Sequence, residues 1–208
     1  MYVVSRSYEY RPDGKRVTIC TVDEEYVGEF ARGVTTAGDT SIVASDGSLI
    51  WPTAIALDSN QNVYVADWRN DRVEKFTTDG QFLMSLGHSG NGDGQLDRPT
   101  GVAVDKQGYI YVADWGNDRL QVFSPEGDFV AKLTGDGTIS KWGKDKLDAN
   151  VEMWHEREIA QGIEREKLFW GPIAVSVDAE DRVFVVESAR NRIQVYQKQE
   201  PVFFGGRL

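Results

Sequence analysis

The sequence predicts an all-β fold made of repeated four-stranded units, and three observations support this. First, the segment RPTGVAVDKQGYIYVADWGNDRLQVF at Arg98 repeats a segment that begins 47 residues earlier, at Trp51. Second, another copy begins 73 residues further along, at Gly171. Third, turn residues such as Asp79-Gly80 separate short β-branched or aromatic runs. Four short strands at this period are typical of a propeller blade, so we expect a β-propeller of about four blades with one helical insertion.

Each strand of the repeat has its own sequence signature. The first strand, Ala54–Asp58 in the copy at Trp51, alternates small and branched residues. The second, Val63–Ala66, is apolar at every position, which predicts burial on both faces. The third begins at an arginine that recurs in each copy, here Arg72, and the fourth is QFLMSLG.

The length of 208 residues suits a single all-β domain. A partial copy at the N-terminus lacks a first strand: Tyr2 matches Tyr64, and Arg16 matches Arg72. The predicted partition of the domain is an incomplete first blade with its connection at 1–50, blade 2 at 51–97, blade 3 at 98–134, a helical insertion at 135–169 and blade 4 at 170–208.

The insertion shows helical rather than strand periodicity. Leu147, Val151 and Trp154 fall at i, i+4 and i+7, and Ile159 and Ile163 continue at four-residue spacing. This pattern predicts one amphipathic helix or two short ones, with the apolar stripe against the propeller and the charged side facing outward.

Composition excludes several classes of function. The net charge is −10, which disfavours nucleic acid as a partner, because phosphate binding needs an excess of Lys and Arg. No apolar run reaches the roughly 20 residues that span a bilayer, so no membrane association is expected. One cysteine, Cys20, and no recognisable signal peptide favour a cytoplasmic location. The two histidines, His88 and His155, are too few for a three-histidine metal site.

The copy from Pro99 to Phe123, P-x-G-V-A-V-D-x-x-G-x-I-Y-V-A-D-x-x-N-D-R-L-Q-V-F, resembles the NHL repeat. The resemblance covers nearly the whole chain and implies a propeller of a group that usually has six blades. The last copy departs from the pattern, with Glu187 in place of the aspartate and Arg190 in place of the asparagine.

A count of about four blades falls short of that six-bladed group. Three interpretations stay open: a fragment of a longer chain, a natural deletion, or an open arc completed by self-association. An open arc would expose a sheet edge and an apolar blade face, both of which favour pairing.

Candidate binding residues lie on loops that a propeller directs to one face. The loops between second and third strands and the connections between blades emerge there, and function tends to lie on loops held by a rigid scaffold. Trp68 and Trp115 are predicted either to stack against a ligand or to pack between blades. The recurrent Asp67, Asp114 and arginines are interpreted as structural ion pairs. The full set of candidate binding residues is Tyr8, Tyr10, Arg11, Trp68, Arg69, Trp115, Asn117, Trp154, His155 and Arg190.

The sequence favours a non-catalytic interaction module that binds a protein or small molecule on this face, with no cofactor. The alternative is a metal-dependent propeller enzyme that resembles the peptidyl-hydroxyglycine amidating lyases or the lactonases. Only that alternative implies Zn²⁺ or Ca²⁺. Asp58, Asp105 and Asp178 end first strands and precede turns, so we interpret them as turn residues rather than metal ligands.

Overall fold

The structure, a computed structural model, describes residues 2–5, 16–23, 25–31, 45–137, 141–159, 165 and 167–198. The described residues form four antiparallel sheets, which confirms the predicted all-β fold. We name them blades 1 to 4 in chain order. The predicted fourth strand of blade 4 lies outside the described residues. Within that part of the chain, no helix has the length and apolar character needed to cross a bilayer.

The strands run outward within each blade in sequence order. Blade 1 contains β1 (Tyr2–Ser5), β2 (Arg16–Cys20) and β3 (Tyr26–Phe30). Blade 2 contains β4 (Pro52–Leu57), β5 (Val63–Asp67), β6 (Arg72–Phe76) and β7 (Phe82–Leu86). Blade 3 contains β8 (Pro99–Val104), β9 (Ile110–Asp114), β10 (Arg119–Phe123) and β11 (Phe129–Leu133). Blade 4 contains β12 (Pro172–Val177), β13 (Arg182–Glu187) and β14 (Arg192–Gln197).

The blades pack face to face through apolar layers. β9 shows the principle, because all five of its residues are buried, as the sequence predicts. Ile110 and Val112 face blade 2, whereas Tyr111 and Ala113 face blade 4. Burying a large aliphatic side chain stabilises a fold by about 1.5–3 kcal/mol, so these layers are the main source of stability.

Side chains of one blade also bond to the backbone of the next. Thr53 Oγ1 donates to the Pro99 carbonyl at 3.0 Å, and Thr100 Oγ1 repeats this bond to the Pro172 carbonyl at 3.0 Å. Asp71 accepts from the Arg98 amide at 2.7 Å, and Asp118 repeats this contact with Gly171 at 2.7 Å. Both aspartates have positive φ, which Asp adopts more readily than most residues.

The turns after the first strands use the recurrent aspartates as predicted. Asp58 Oδ1 accepts from the backbone amides of Asn60 and Asn62, both at 2.9 Å. Asp105 and Asp178 make the same pair of bonds in blades 3 and 4. These carboxylates therefore form Asx-type turns, which explains why an aspartate recurs at this position.

The described part of the insertion forms two short helices, α1 (Lys141–Asp148) and α2 (Val151–Ile159). Asn150 caps α2, because its Oδ1 accepts from the Glu152 amide at 3.0 Å. Trp154 is half-buried and donates its indole N–H to Asp148 at 3.1 Å, whereas Ile159 is exposed. Trp154 of the apolar stripe thus contacts α1 through a hydrogen bond, and the docking of the stripe on the propeller stays a prediction.

The buried arginine of blade 3 gives a first prediction. Arg119→Ala should lower the free energy of unfolding by about 3 kcal/mol, because it leaves the buried Asp114 carboxylate without its charged partner. Arg182→Ala is the matched control, since its ion pair with Asp178 is half-exposed and should cost less than about 1 kcal/mol. Urea unfolding measures both variants, and equal losses would contradict a clamp role for Arg119.

Candidate binding site on the loop face

One end of the blades, here called the loop face, carries the short turns after the second strands and the connections between blades. The turns Trp68–Asn70 and Trp115–Asn117 are single 3-10 turns. The Arg69 amide donates to the Ile50 carbonyl at 3.1 Å, and the Gly116 amide donates to the Asp97 carbonyl at 2.8 Å. In blades 2 and 3, the turn after the second strand therefore contacts the connection that precedes the blade. For the segments that the structure describes, this is the predicted meeting of turns and connections on one face.

A buried carboxylate and an arginine hold each connection in place. In blade 3, Asp114 accepts from the Asp97 amide at 2.7 Å and from Arg119 Nε at 2.7 Å. The two terminal nitrogens of Arg119 then donate to three carbonyls of the preceding connection. These acceptors are Asn91, Gly92 and Gln95, at 2.9, 2.8 and 2.7 Å. We call this arrangement the carboxylate–arginine clamp.

Blades 2 and 4 contain the same clamp. Asp67 accepts from the Ile50 amide at 2.6 Å, and Arg72 donates to the Ser48 carbonyl at 2.8 Å. In blade 4, Glu187 takes the aspartate's place and accepts from the Trp170 amide at 2.9 Å. Arg192 donates to the Leu168 carbonyl at 2.8 Å. The structural interpretation of the recurrent charges is confirmed by these bonds.

Burial shifts the titration of these carboxyl groups. Loss of solvation raises the pKa of Asp67 and of Asp114 above the usual range, although hydrogen bonds from Asn70, Ile50, Asp97 and Arg119 oppose the shift. The pKa of Glu74 in blade 2 rises to about 7, again through burial, with Arg72 and the Gly47 amide opposing it. Because these groups sit inside the clamps, their titration bears on stability.

Tryptophan and arginine side chains alternate across the loop face. Trp68 stacks on Trp51 with ring centroids 5.3 Å apart, and Arg69 lies 5.6 Å from the Trp51 centroid. Arg98 lies between two turns, 4.9 Å from the Trp115 ring and 6.0 Å from the Trp68 ring. These distances are within the range of cation–π contacts, so the array is held together by ring–cation attraction.

A cleft of about 290 Å³ opens beside this array, between blades 3 and 4. Trp115 and Trp170 supply its aromatic walls, and Trp170 is 57% exposed. Arg190 lies over the Trp170 ring at 5.8 Å. The residues that line the cleft are Arg98, Trp115, Gly116, Asp118, Trp170, Gly171, Ser188 and Ala189.

The polar groups around the cleft differ in how far they are already paired. Arg98 is held by Asp97 through bonds of 2.7 and 3.2 Å, and this lowers the pKa of Asp97. One terminal nitrogen of the Arg190 guanidinium donates a hydrogen bond to the Arg165 carbonyl. Its other terminal nitrogen, Nη1, is buried and has no hydrogen-bond partner among the described residues. The cleft thus combines exposed ring surface with the guanidinium of Arg98, whose side chain is 43% exposed.

The predicted site residues are distributed unevenly. Trp115 lines the cleft, Arg190 lies beside it, and Trp68 and Arg69 belong to the adjoining array. The side chain of Asn117 is used inside its own loop, where it donates to Asp114 and to the Gly90 carbonyl, both at 2.9 Å.

The remaining candidates lie elsewhere or cannot be placed. Trp154 and His155 are on α2, half-buried and exposed respectively. Tyr8, Tyr10 and Arg11 lie outside the described residues. Among the residues described, no cluster of three or more His, Cys, Asp or Glu side chains is arranged to hold a metal ion.

Three residues of this surface escape a search for repeated motifs. Trp51, Arg98 and Trp170 come just before the first strands of blades 2, 3 and 4. Trp51 and Arg98 directly precede the recurrent proline, and Trp170 lies two residues before it. Arg98 aligns with Trp51, and Trp170 is displaced by one position in the repeat, so repetition does not single them out. The available signal was the presence of a large planar side chain at this junction in all three full copies.

Comparison with known proteins finds the repeat that the sequence analysis identifies. The family model described as NHL repeat matches residues 49–76 and 96–123, so the chain carries NHL repeats in these two places. No curated protein matches the sequence.

Three solved structures to which the chain is similar are lyases. Selenomethionine-substituted virginiamycin B lyase from Staphylococcus aureus has a TM-score of 0.49 and 13% identity over 90% of this chain and 50% of that chain. A catalytically inactive form of the enzyme with quinupristin gives 0.49 and 13% over 91% and 50%. A streptogramin B lyase gives 0.48 and 14% over 90% and 49%. The chain therefore spans about half the length of these structures, and at such identities the likeness assigns no activity.

Glu74 gives a prediction about pH. Its carboxyl group titrates near 7 in the fold against an ordinary value of 4.5, so its contribution to stability is complete below pH 4.5 and is lost as the pH rises to 7. Gln121, the equivalent residue of blade 3, makes the same bond to a glycine amide at 3.0 Å without a charge. Glu74→Gln should therefore raise the free energy of unfolding by on the order of 1–3 kcal/mol at pH 8 and by little at pH 4.5.

Urea unfolding at several pH values measures this difference. Glu126→Gln, at an exposed turn, is the control and should change neither stability nor its pH dependence. A Glu74→Gln variant that loses stability at pH 8 would show that the ionised carboxylate is needed beside Arg72.

Proposed function

We propose that this chain is a non-catalytic binding module of the NHL propeller type, which holds a protein or small-molecule ligand on its loop face. The cleft between Trp115 and Trp170 is the observation that carries the proposal. Tryptophan is enriched at binding hot spots, because it offers a large rigid apolar surface with one polar group. The clamps beneath the cleft keep its walls in place before a ligand arrives, which lowers the entropic cost of binding.

The chemistry of the cleft favours a ligand that combines a planar ring with an acidic group. The exposed face of Trp170 provides a stacking surface, and Arg98, which lines the cleft and whose side chain is 43% exposed, provides donors for a carboxylate. The volume of about 290 Å³ is at the lower end of the range for small-molecule pockets. It suits one or two side chains, so an exposed aromatic–acidic segment of a partner protein is the preferred ligand.

The overall charge supports a partner other than nucleic acid. At −10 the chain repels polyanions at long range, even though Arg98 gives the cleft a local cationic group. A short acidic segment is compatible with this balance, because its charge meets Arg98 directly while its length keeps the total repulsion small. The proposal includes no cofactor.

A binding experiment with a defined probe tests the cleft. N-acetyl-tyrosine carries the ring and the carboxylate, and N-acetyl-tyrosine amide lacks the carboxylate. In two-dimensional NMR of the chain labelled at its six tryptophans, the acid should shift the indole N–H signals of Trp115 and Trp170, and the amide should shift them at least threefold less at equal concentration. The cause of this difference is the lost bond to an arginine.

Matched variants show whether the cleft is the place where N-acetyl-tyrosine binds. Trp170→Ala should weaken binding of the acid at least tenfold, because the stacking surface is removed. Trp154→Ala removes a half-buried tryptophan of α2, which does not line the cleft, and should leave the affinity unchanged. Equal losses in the two variants, or no shift of Trp115 and Trp170 at millimolar probe, would refute the proposed site.

Metal content separates the module from the enzymatic alternative. A propeller enzyme of the amidating-lyase or lactonase type would carry about one tightly bound Zn²⁺ or Ca²⁺ per chain. We expect substoichiometric amounts of both in the purified protein, measured by plasma mass spectrometry after dialysis. A content near one equivalent that resists dialysis would favour the enzyme.

A further inference from the structure

Blades 2 and 3 each place a planar side chain against the tryptophan of the turn after their second strand. The residue that does so directly precedes the recurrent proline and is Trp51 in blade 2 and Arg98 in blade 3. Trp51 stacks on Trp68 with ring centroids 5.3 Å apart, and the Arg98 guanidinium lies 4.9 Å from the Trp115 ring. These two blades therefore fill the same place on the loop face with a stacked pair of their own side chains.

Blade 4 replaces both members of the stacked pair with small residues. Gly171 stands 73 residues after Arg98, and Ser188 stands 73 residues after Trp115. Both small residues line the cleft of about 290 Å³. The cleft therefore coincides with the place that the stacked pair fills in blades 2 and 3.

The backbone at this position is alike in the three blades. Trp51, Arg98 and Gly171 all have positive φ, at 63°, 54° and 62°. The Trp68 amide donates to the Trp51 carbonyl at 3.3 Å, and the Ser188 amide repeats this bond to the Gly171 carbonyl at 3.0 Å. Since large side chains stand at this φ in blades 2 and 3, the backbone of blade 4 does not by itself require a glycine. The small side chains of blade 4 set the space in the cleft.

The preceding residue indicates which planar group fits each blade. Ile50, Asp97 and Trp170 stand at this position in blades 2, 3 and 4. Asp97 holds the Arg98 guanidinium through bonds of 2.7 and 3.2 Å, whereas the apolar Ile50 precedes an indole. Trp170 offers an aromatic face and no carboxylate, so blade 4 resembles blade 2. An aromatic ring therefore suits the place better than a guanidinium does.

The charges that line the cleft agree with this choice. Arg98 is the cationic residue among the lining residues, and it would repel a second guanidinium. Asp118 is the acidic one, and its Oδ1 already accepts from the Gly171 amide at 2.7 Å. A neutral ring avoids the repulsion, and an acidic group attached to it would be attracted to Arg98.

We propose that Gly171 and Ser188 form a ring subsite, in which an aromatic side chain of the partner takes the place of the pair that stacks in blades 2 and 3. This inference rests on the proposed function, since it assumes that an aromatic–acidic segment binds in the cleft. A Cβ at Gly171 would lie 3.4 Å from Trp115 Nε1, so a ring in the subsite contacts that wall directly. Gly171 and Ser188 are then the residues that determine specificity for an aromatic ring.

Filling the ring subsite from within the chain tests the proposal, with N-acetyl-tyrosine as the probe. Ser188 is exposed, so Ser188→Trp has room to restore the tryptophan of blades 2 and 3, and it should weaken binding by about tenfold or more. Ser188→Ala is the matched control. It removes the 3.1 Å bond from Ser188 Oγ to the Gly171 carbonyl without filling the subsite, and should leave the dissociation constant within about twofold.

A second measurement on the wild type locates the ring without any substitution. Nuclear Overhauser effects should connect the ring protons of bound N-acetyl-tyrosine with Gly171 Hα and Ser188 Hβ. Contacts to Trp170 that lack both of these signals would place the ring elsewhere in the cleft and overturn the ring subsite. This measurement also decides the case if circular dichroism shows that Ser188→Trp does not fold.

The outcomes separate this inference from the proposed function. Wild-type shifts of Trp115 and Trp170, with unchanged affinity in a folded Ser188→Trp variant, would keep the cleft as the binding site and overturn the ring subsite. Tighter binding of N-acetyl-arginine amide than of N-acetyl-tyrosine would assign the place to a guanidinium and overturn it as well. No shift in the wild type would refute the proposed function, and the ring subsite would fall with it.

Discussion

The carboxylate–arginine clamp is the interaction on which the rest of this structure depends. A propeller blade is stabilised internally by its strand pairing, but the connections between blades have no regular structure of their own. In blade 3, Arg119 satisfies three carbonyls of such a connection while Asp114 satisfies one of its amides. Since a buried unpaired backbone group costs about 1–3 kcal/mol, the clamp is what allows the connection to lie against the blade.

The loop face follows from that arrangement. Each clamp fixes the end of a second strand and the start of a third, so the short turn between them has little freedom. Trp68 and Trp115 project from these turns, and Arg98 bridges them because its own backbone is bonded to Asp71. The cleft beside Trp170 is thus built on rigid supports, although its lining residues lie on loops.

The sequence predicts the repeated parts of this molecule well and the unrepeated parts poorly. The burial of β9, the arginine at the start of β10 and the Asx turn at Asp105 each recur, and recurrence exposes their structural role. Trp51, Arg98 and Trp170 do not form one repeated motif, so only the packed structure shows that Trp51 stacks on Trp68 and that Arg98 and Trp170 lie beside Trp115. The environment of Glu74 escapes the sequence for a related reason, because its burial depends on a connection outside the repeat.

Two kinds of bond between blades have a polarity. At both junctions between blades 2, 3 and 4, the side chains of these bonds belong to the earlier blade and the backbone groups to the later one: Thr53 and Asp71 reach forward to blade 3, and Thr100 and Asp118 reach forward to blade 4. Each following blade thus meets side-chain contacts that its predecessor already carries. A unit gained by duplication would bring with it the side chains that receive its successor.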